Sequence, residues 1–347
     1  REPGDALKRA LTRLEPGESW LLEPRQIDEN PLLWSPGIKL GIDPKGWYRR
    51  TECFGPVLGL IRAEDFVHGL RIQNNSEFGL TAGLHSLDDR EISLWRERIE
   101  AGNAYINRPI TGAIVQRQPF GGWKRSGFGP GSKAGGPNYC QLFGTWRNER
   151  LPMLRAEPSE AVAMLLAKLT AALPTHGECL TAAAGSDAYW HAREFSREHD
   201  PAGLRCESNV FRYRRFPKAI IRAGDDLSDV ELARLLLIAP AMGMDQEVSL
   251  PCPRPWLETL KFPLRVESDE TLAARLKASP RGSVVLRAPH ADALLEQAAL
   301  DTMVRFTNSP VIWNARLEWL AWLREQSISE TRHRYGNRLP NREKLGD

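Results

Sequence analysis

The chain has 347 residues, 41% of them apolar and 26% charged, which suits about two globular domains and excludes a disordered or fibrous protein. Lys plus Arg number 47 against 44 for Asp plus Glu, and the resulting net charge of +3 is too small and too dispersed for nucleic-acid or anionic-lipid binding to be the first reading. The longest apolar run, Leu235 to Met244 with Pro240 inside it, is about half of what a bilayer crossing needs. The opening REPGDALKRAL starts with Arg and has no apolar core ahead of a small-residue cleavage site, so the sequence reads as an internal cut without a secretory signal. Five cysteines, at 53, 140, 179, 206 and 252, form no CxxC pair and are odd in number. That argues against a disulfide framework and a zinc site, and fits a reducing cytoplasm.

In chain order, residues 1 to about 150 show short apolar strands, Val57 to Ile61 and Ala104 to Asn107, between Gly-rich and Pro-rich connectors. One helix is expected at Ile92 to Ala101, where Ile92, Trp95 and Ile99 recur at helical spacing before Gly102. Pro119 to Pro137 is dense in glycine, which serves close backbone approach rather than a packed element. From about 155 onward helices and strands alternate. Helix Ala161 to Ala172 ends before Pro174, Ala219 to Arg222 is a strand, and Ser228 with Glu231 forms a capping box ahead of Val230 to Ile238. Gln246 to Leu250 is the next strand, Ser268 caps Thr271 to Lys277, and strand Ser283 to Arg287 precedes helix Ala291 to Leu300. An amphipathic helix is expected at Trp313 to Glu325, with Trp313, Leu317 and Leu320 on one stripe. This is an α/β pattern, an open parallel sheet covered by helices. Arg332, His333, Arg334, Arg338, Arg342 and Lys344 form a basic tail, read as a solvated or partner-facing terminus.

Thr51-Glu52-Cys53-Phe54-Gly55-Pro56-Val57 puts a carboxylate two residues before an aromatic, then a Gly-Pro turn, then an apolar strand. A carboxylate accepts hydrogen bonds from both hydroxyls of a ribose, and a nearby ring packs on the adjoining sugar or nicotinamide. An ordinary turn at a strand start uses the same residue types. Further on stand Tyr105-Ile106-Asn107-Arg108, Thr111-Gly112-Ala113 and Gln118-Pro119-Phe120-Gly121-Gly122-Trp123-Lys124-Arg125-Ser126-Gly127.

With these blocks in sequence, residues 1 to about 150 resemble the C-terminal end of the aldehyde dehydrogenase superfamily. Within it, LEPGESWLLEPRQIDENPLLWSPGIKLG (Leu14 to Gly41), TECFGPVLGL (Thr51 to Leu60) and GPGSKAGGPNY (Gly129 to Tyr139) resemble the glutamate semialdehyde (pyrroline-5-carboxylate) dehydrogenases, above all those of bacterial bifunctional proline-utilisation flavoenzymes. Residues 151–347, ending in LREQSISETRHRYGNR, look like the extra C-terminal domain that some of those enzymes carry. The resemblance implies an α/β fold in which the end of a catalytic domain, 1–150, is followed by an accessory Rossmann-like domain, 151–347. It implies Glu52 as the NAD ribose ligand and Phe54 as the aromatic beside the nicotinamide ribose. Thr111, Gly112 and Ala113 match the loop that anchors the substrate carboxylate, and Phe120 an aromatic lining the aldehyde pocket. Consecutive N–H groups around a Gly make an anion nest, which agrees with that assignment. At Gln116 the family more often has Gly. The strands around Tyr139 to Trp146 are expected to pair across an oligomer or interdomain edge. FAD would belong only to a proline dehydrogenase domain outside this chain.

The reaction needs a thiolate nucleophile, a general base and an oxyanion donor. The family's nucleophile sits in a GQxC-type segment, and no such segment occurs among the 347 residues. Cys53 reads as packing, and the other cysteines as buried or incidental thiols. The seven histidines lack metal-ligand spacing. No GxGxxG follows any strand of the second half, where Arg222-Ala223-Gly224-Asp225-Asp226 has one Gly, so that domain is expected to be catalytically silent and to help enclose the path of the intermediate. Two readings follow: part of an NAD-dependent glutamate semialdehyde dehydrogenase, or a non-enzymatic interaction module derived from one.

Overall fold

The computed structural model describes residues 2–127, 131–278 and 284–332. The chain divides into two compact units, Arg1–Glu77 with Asp88–Glu100, and Phe78–Leu87 with Ala101–Asp347. The basic tail, apart from Arg332, lies outside the described residues, as does Ser283.

In the first unit α1 (Asp5–Thr12) precedes β1 (Ser19–Leu22) and β2 (Gly37–Leu40), which pair antiparallel. After α2 (Trp47–Arg50), β3 (Val57–Gly59) joins β2 in parallel, giving the order β1-β2-β3. Two further helices follow, α3 (Phe66–Asn74), capped by the Asp65 side chain, and α4 (Asp89–Arg98), capped by Asp88. The Asp88 cap starts α4 before the expected Ile92, and Ile99 leaves helical dihedrals, so the helix stops short of Ala101. The periodicity argument nevertheless finds the packed face: Trp95 is buried and its Nε1 donates to Gln73 Oε1 at 2.8 Å. Short α1, α2 and α3 carry too few turns to declare themselves by periodicity.

The second unit opens with β4 (Phe78–Gly79), β5 (Thr81–Leu84), β6 (Asn103–Ile106) and β7 (Trp123–Lys124). Helices α5 (Glu160–Ala172) and α6 (Gly177–Trp190) follow, the second running into a π-helical turn at His191–Phe195. Then come β8 (Glu207–Arg215), β9 (Lys218–Arg222), α7 (Asp229–Leu236), α8 (Ile238–Ala241), β10 (Asp245–Leu250), α9 (Pro255–Glu258), β11 (Leu264–Val266), α10 (Asp269–Lys277), β12 (Val284–Arg287), α11 (Ala293–Thr302) and β13 (Arg305–Thr307). The chain continues through α12 (Ala315–Glu318) and a 3-10 turn, Trp319–Ala321, into β14 (Leu323–Thr331).

Strands β9 to β13 form a wholly parallel sheet in the order β11-β10-β9-β12-β13. Counted from its own first strand this is 3-2-1-4-5, the order of a Rossmann fold. Its alternation feeds two cores: Ala219 and Ile221 face the cluster built on α6, α7 and Trp319, whereas Ile220 faces the cluster of α10 and α11. The expected capping box is present, with Ser228 accepting from the Glu231 N–H and Glu231 accepting from the Ser228 N–H.

Two expectations fail. The amphipathic helix at Trp313 to Glu325 shrinks to α12 and the 3-10 turn, because Leu323 onward is taken by a second, four-stranded sheet of order β5-β6-β14-β8. There β14 runs parallel to β6 (Ser329↔Tyr105) and antiparallel to β8 along its whole length (Leu323↔Arg215 to Thr331↔Glu207). Ladder hydrogen bonds on both edges outweigh a local helical stripe. Tyr139 to Trp146 holds no strand either: Tyr139–Phe143 is a 3-10 helix, and the residues after it are irregular.

Candidate active site and its relatives

Glu52 and Phe54 lie in the first unit, on the turn between α2 and β3. Tyr48 pins that turn by donating its hydroxyl to the Val57 carbonyl at 2.7 Å, and the Gly37 N–H bonds the Pro56 carbonyl at 2.8 Å. Burial pushes the Tyr48 hydroxyl up to about 12, so it remains a donor. Held this way, Glu52 is exposed, and Phe54 is 84% exposed with φ 46°. A bulky residue is uncommon in the left-handed region, and here its ring lies in solvent, so packing does not repay the strain. Phe54 borders a groove of about 470 Å³ lined also by Leu7, Leu11, Leu33, Trp34 and Cys53. The Cys53 thiol is pushed up by burial, which keeps it protonated and agrees with its reading as packing.

Thr111, Gly112 and Ala113 lie in the second unit, exposed, beyond the C-terminal end of β6. Gly112 has φ 81°, a conformation that favours glycine, and a Cβ there would meet nothing within 4 Å, so the backbone angle rather than crowding selects the residue. The loop is clasped at its base by Gln118. Its Oε1 accepts the Ile114 N–H at 2.9 Å, its own N–H returns to the Ile114 carbonyl at 2.8 Å, and its Nε2 donates to Asn209 Oδ1 at 2.8 Å. Gln116 has φ 66°, in the left-handed region that favours glycine. Phe120 is 37% exposed and fixed by a two-way backbone bridge with Ala134, both bonds 2.9 Å.

The sequence reading missed a buried polar group behind Phe120. Lys133, Asn103 and Asn138 are at most 1% exposed. The Lys133 Nζ donates to the Gly121 carbonyl and to Asn103 Oδ1, while its backbone N–H donates to Glu325 Oε2 at 2.8 Å. Asn138 Nδ2 donates to Glu325 Oε1 at 2.8 Å and to the Tyr213 hydroxyl, which itself donates to Glu194 on the π-helical turn. Burial pushes Lys133 down to about 7 and Glu325 up. Lysine and asparagine stand inside the quoted GPGSKAGGPNY block. No local signal marks their partner: residues 325 to 329 of β14 are all buried, and Leu323 and Ile328 are the strand's only large apolar residues.

At the carboxyl end of β9, where a dinucleotide fold receives a pyrophosphate, the α7 N-terminus is occupied by its own carboxylate. Glu231 accepts from the Ser228 hydroxyl at 2.6 Å and from the Ser228 N–H at 3.1 Å. Arg254 covers the neighbouring Gly224 and Leu227 carbonyls.

A parallel sheet in Rossmann order defines an α/β protein, and the aldehyde dehydrogenase family model matches residues 8–147. Among individual proteins, the chain is similar to proline utilization A (PutA) from Corynebacterium freiburgense, with 37% identity and a TM-score of 0.77 over 97% of this chain and 31% of that one. It is 43% identical over 115 residues to the 1-pyrroline-5-carboxylate dehydrogenase of Geobacillus sp. (strain WCH70), covering 33% of this chain and 22% of that protein. The enzyme of the same name from Geobacillus kaustophilus is 44% identical over 107 residues, 31% of this chain and 20% of that protein. The chain thus spans between a fifth and a third of the proteins it matches.

Proposed function

We propose that this chain is part of an NAD-dependent dehydrogenase that oxidises L-glutamate γ-semialdehyde, the open form of 1-pyrroline-5-carboxylate, to glutamate in proline catabolism. The observation that carries the reading is the exposed Thr111-Gly112-Ala113 loop, clasped at Gln118 and presenting backbone around a left-handed glycine. Such a loop receives a carboxylate without a side chain in the way. NAD, when bound, supplies the hydride acceptor. The residues that would hold it fit that role: the exposed Glu52 carboxylate as acceptor for two ribose hydroxyls, and the strained, exposed Phe54 ring as a surface for the sugar. Phe120 lines the aldehyde pocket. Similarity to a proline utilization A protein across 97% of the chain supports residues 151–347 as an accessory domain of the same polypeptide. The proposal adds a homo-oligomeric assembly, and it assigns FAD only to a proline dehydrogenase domain outside this chain. No described helix is long and apolar enough to cross a membrane, and a sequence whose five cysteines form no CxxC pair suits a reducing cytoplasm.

The test compares catalytic efficiencies for glutamate semialdehyde and an uncharged aldehyde such as hexanal, in the full-length protein. Ala113→Pro removes one backbone donor and stiffens the loop. Losing a charge-assisted bond is expected to cost roughly 1.5–3 kcal/mol for the carboxylated substrate and much less for hexanal, so the efficiency ratio falls. Gly112→Ala serves as a steric control. A ratio constant across the series removes the loop from substrate recognition.

A further inference from the structure

We propose that Lys133 is a positioning residue of the aldehyde pocket: its buried side chain bolts the Phe120-Gly121 wall to the sheet and so sets how well an aldehyde fits. The inference rests on the reading of Phe120 as a pocket residue. Lysine is rarely fully buried, yet Lys133 is 1% exposed. Its Nζ has two acceptors among the described residues, the Gly121 carbonyl and Asn103 Oδ1. A neutral amine has two N–H groups to give, and the depression of Lys133 to about 7 by burial agrees with that stoichiometry. Asn103 also donates to the Gly121 carbonyl at 3.2 Å, so lysine and asparagine grip one oxygen from two sides. The wall is held elsewhere by backbone alone at Phe120 and by the Ser327 hydroxyl on the Pro119 carbonyl at 2.6 Å. Lys133 is therefore the long side chain that connects the pocket wall to β6, and Glu325 with Asn138 fixes the backbone from which it reaches.

The experiment uses the full-length protein and two variants, Lys133→Met, which keeps the apolar stem, and Glu325→Gln, which disturbs the support without opening a cavity. Steady-state kinetics with glutamate semialdehyde and hexanal are paired with amide hydrogen exchange of the peptide covering residues 118–124. In Lys133→Met the aldehyde KM is expected to rise roughly tenfold, as for a misplaced positioning group. The KM for NAD and kcat should stay within about twofold, and exchange of the peptide should accelerate about tenfold or more. Glu325→Gln moves the same quantities less, and it carries the test if Lys133→Met does not fold. Unchanged aldehyde KM in a folded variant overturns the proposal, including the case where only stability falls, since a merely structural lysine gives that result. If the wild type oxidises hexanal but not the semialdehyde, the substrate reading fails, and Lys133 is then judged on the hexanal KM. A wild type inert toward every aldehyde overturns both.

Discussion

At the scale of single residues, the residues proposed for cofactor and for substrate use opposite physics. The role proposed for Glu52 depends on availability: its carboxylate is exposed, on a turn whose backbone Tyr48 pins. Glu52→Ala in the full-length enzyme is expected to weaken NAD use by about 10-fold to 100-fold, the equivalent of roughly 1.5–3 kcal/mol. NAD titrations at saturating aldehyde measure this, and unchanged kinetics would take Glu52 out of the site. Lys133 works by being inaccessible. Because burial lowers its folded-state value to about 7 from 10.5, the unfolded chain binds a proton between those values that the folded chain does not. Stability attributable to this group is therefore lowest at and below pH 7 and grows by up to about 1.4 kcal/mol per pH unit as pH rises above it. Between pH 8 and 10, thermal unfolding of the wild type should gain more stability with pH than that of Lys133→Met. Neighbouring Glu325, raised by burial, works with the opposite sign, so its influence is read by repeating the comparison in Glu325→Gln. Parallel pH profiles for wild type and Lys133→Met would show that the amine is not desolvated.

At the scale of elements, two fully buried ion pairs tie helices to the parallel sheet's larger core. Arg234 on α7 holds both oxygens of Asp187 on α6 at 2.8 Å, and Trp319 donates its indole N–H to the same carboxylate at 2.8 Å. Arg287 on β12 reaches Glu318 on α12 at 2.8 Å, where Trp322 also donates. Breaking such a pair strands a charge. Asp187→Ala is expected to cost about 3–5 kcal/mol, while a paired replacement with Asp187→Leu and Arg234→Met should recover most of it. Chemical denaturation of the three variants decides this, and a single substitution costing under about 1 kcal/mol would mean that the pair is solvated. The four-stranded sheet follows a different rule. Gly102, just before β6, would place a Cβ against the Gly121 carbonyl oxygen, so the glycine there permits the close approach of the Phe120-Gly121 segment.

At the scale of the whole molecule, the proposed reaction calls for a thiolate nucleophile. None of the five cysteines stands in a GQxC-type segment, and Cys53 is pushed up rather than down. Purified residues 1–347 are therefore expected to generate no NADH from glutamate semialdehyde. Activity that vanished on mutating one of these cysteines would contradict this. Strand β14 also ties the far end of the described chain to the stretch that the family model matches, since it pairs with β6, within residues 8–147. A Rossmann-ordered sheet lies between those two strands in sequence without separating them in space.

What the sequence by itself determined was whatever depends on local chemistry. The Ser228–Glu231 capping box, the strands around Ile221 and Val285 and the α/β alternation follow from caps, period and short connections. The Thr111–Ala113 loop and the Phe54 turn were legible as motifs of a family, and left-handed angles at Phe54, Gly112 and Gln116 give those motifs their physical reason. Only the tertiary structure decided the fate of Leu323 to Thr331. Its neighbours Trp313 to Trp322 carry a helical stripe, but two strands more than 100 residues upstream offer it hydrogen bonds on both edges. The same long-range pairing brings Glu325 to Lys133 and Asn138, a contact across 192 and 187 residues that no local pattern encodes. Burial of a lysine is a property of what surrounds it, and those surroundings exist only once β6 and β14 have paired in the four-stranded sheet.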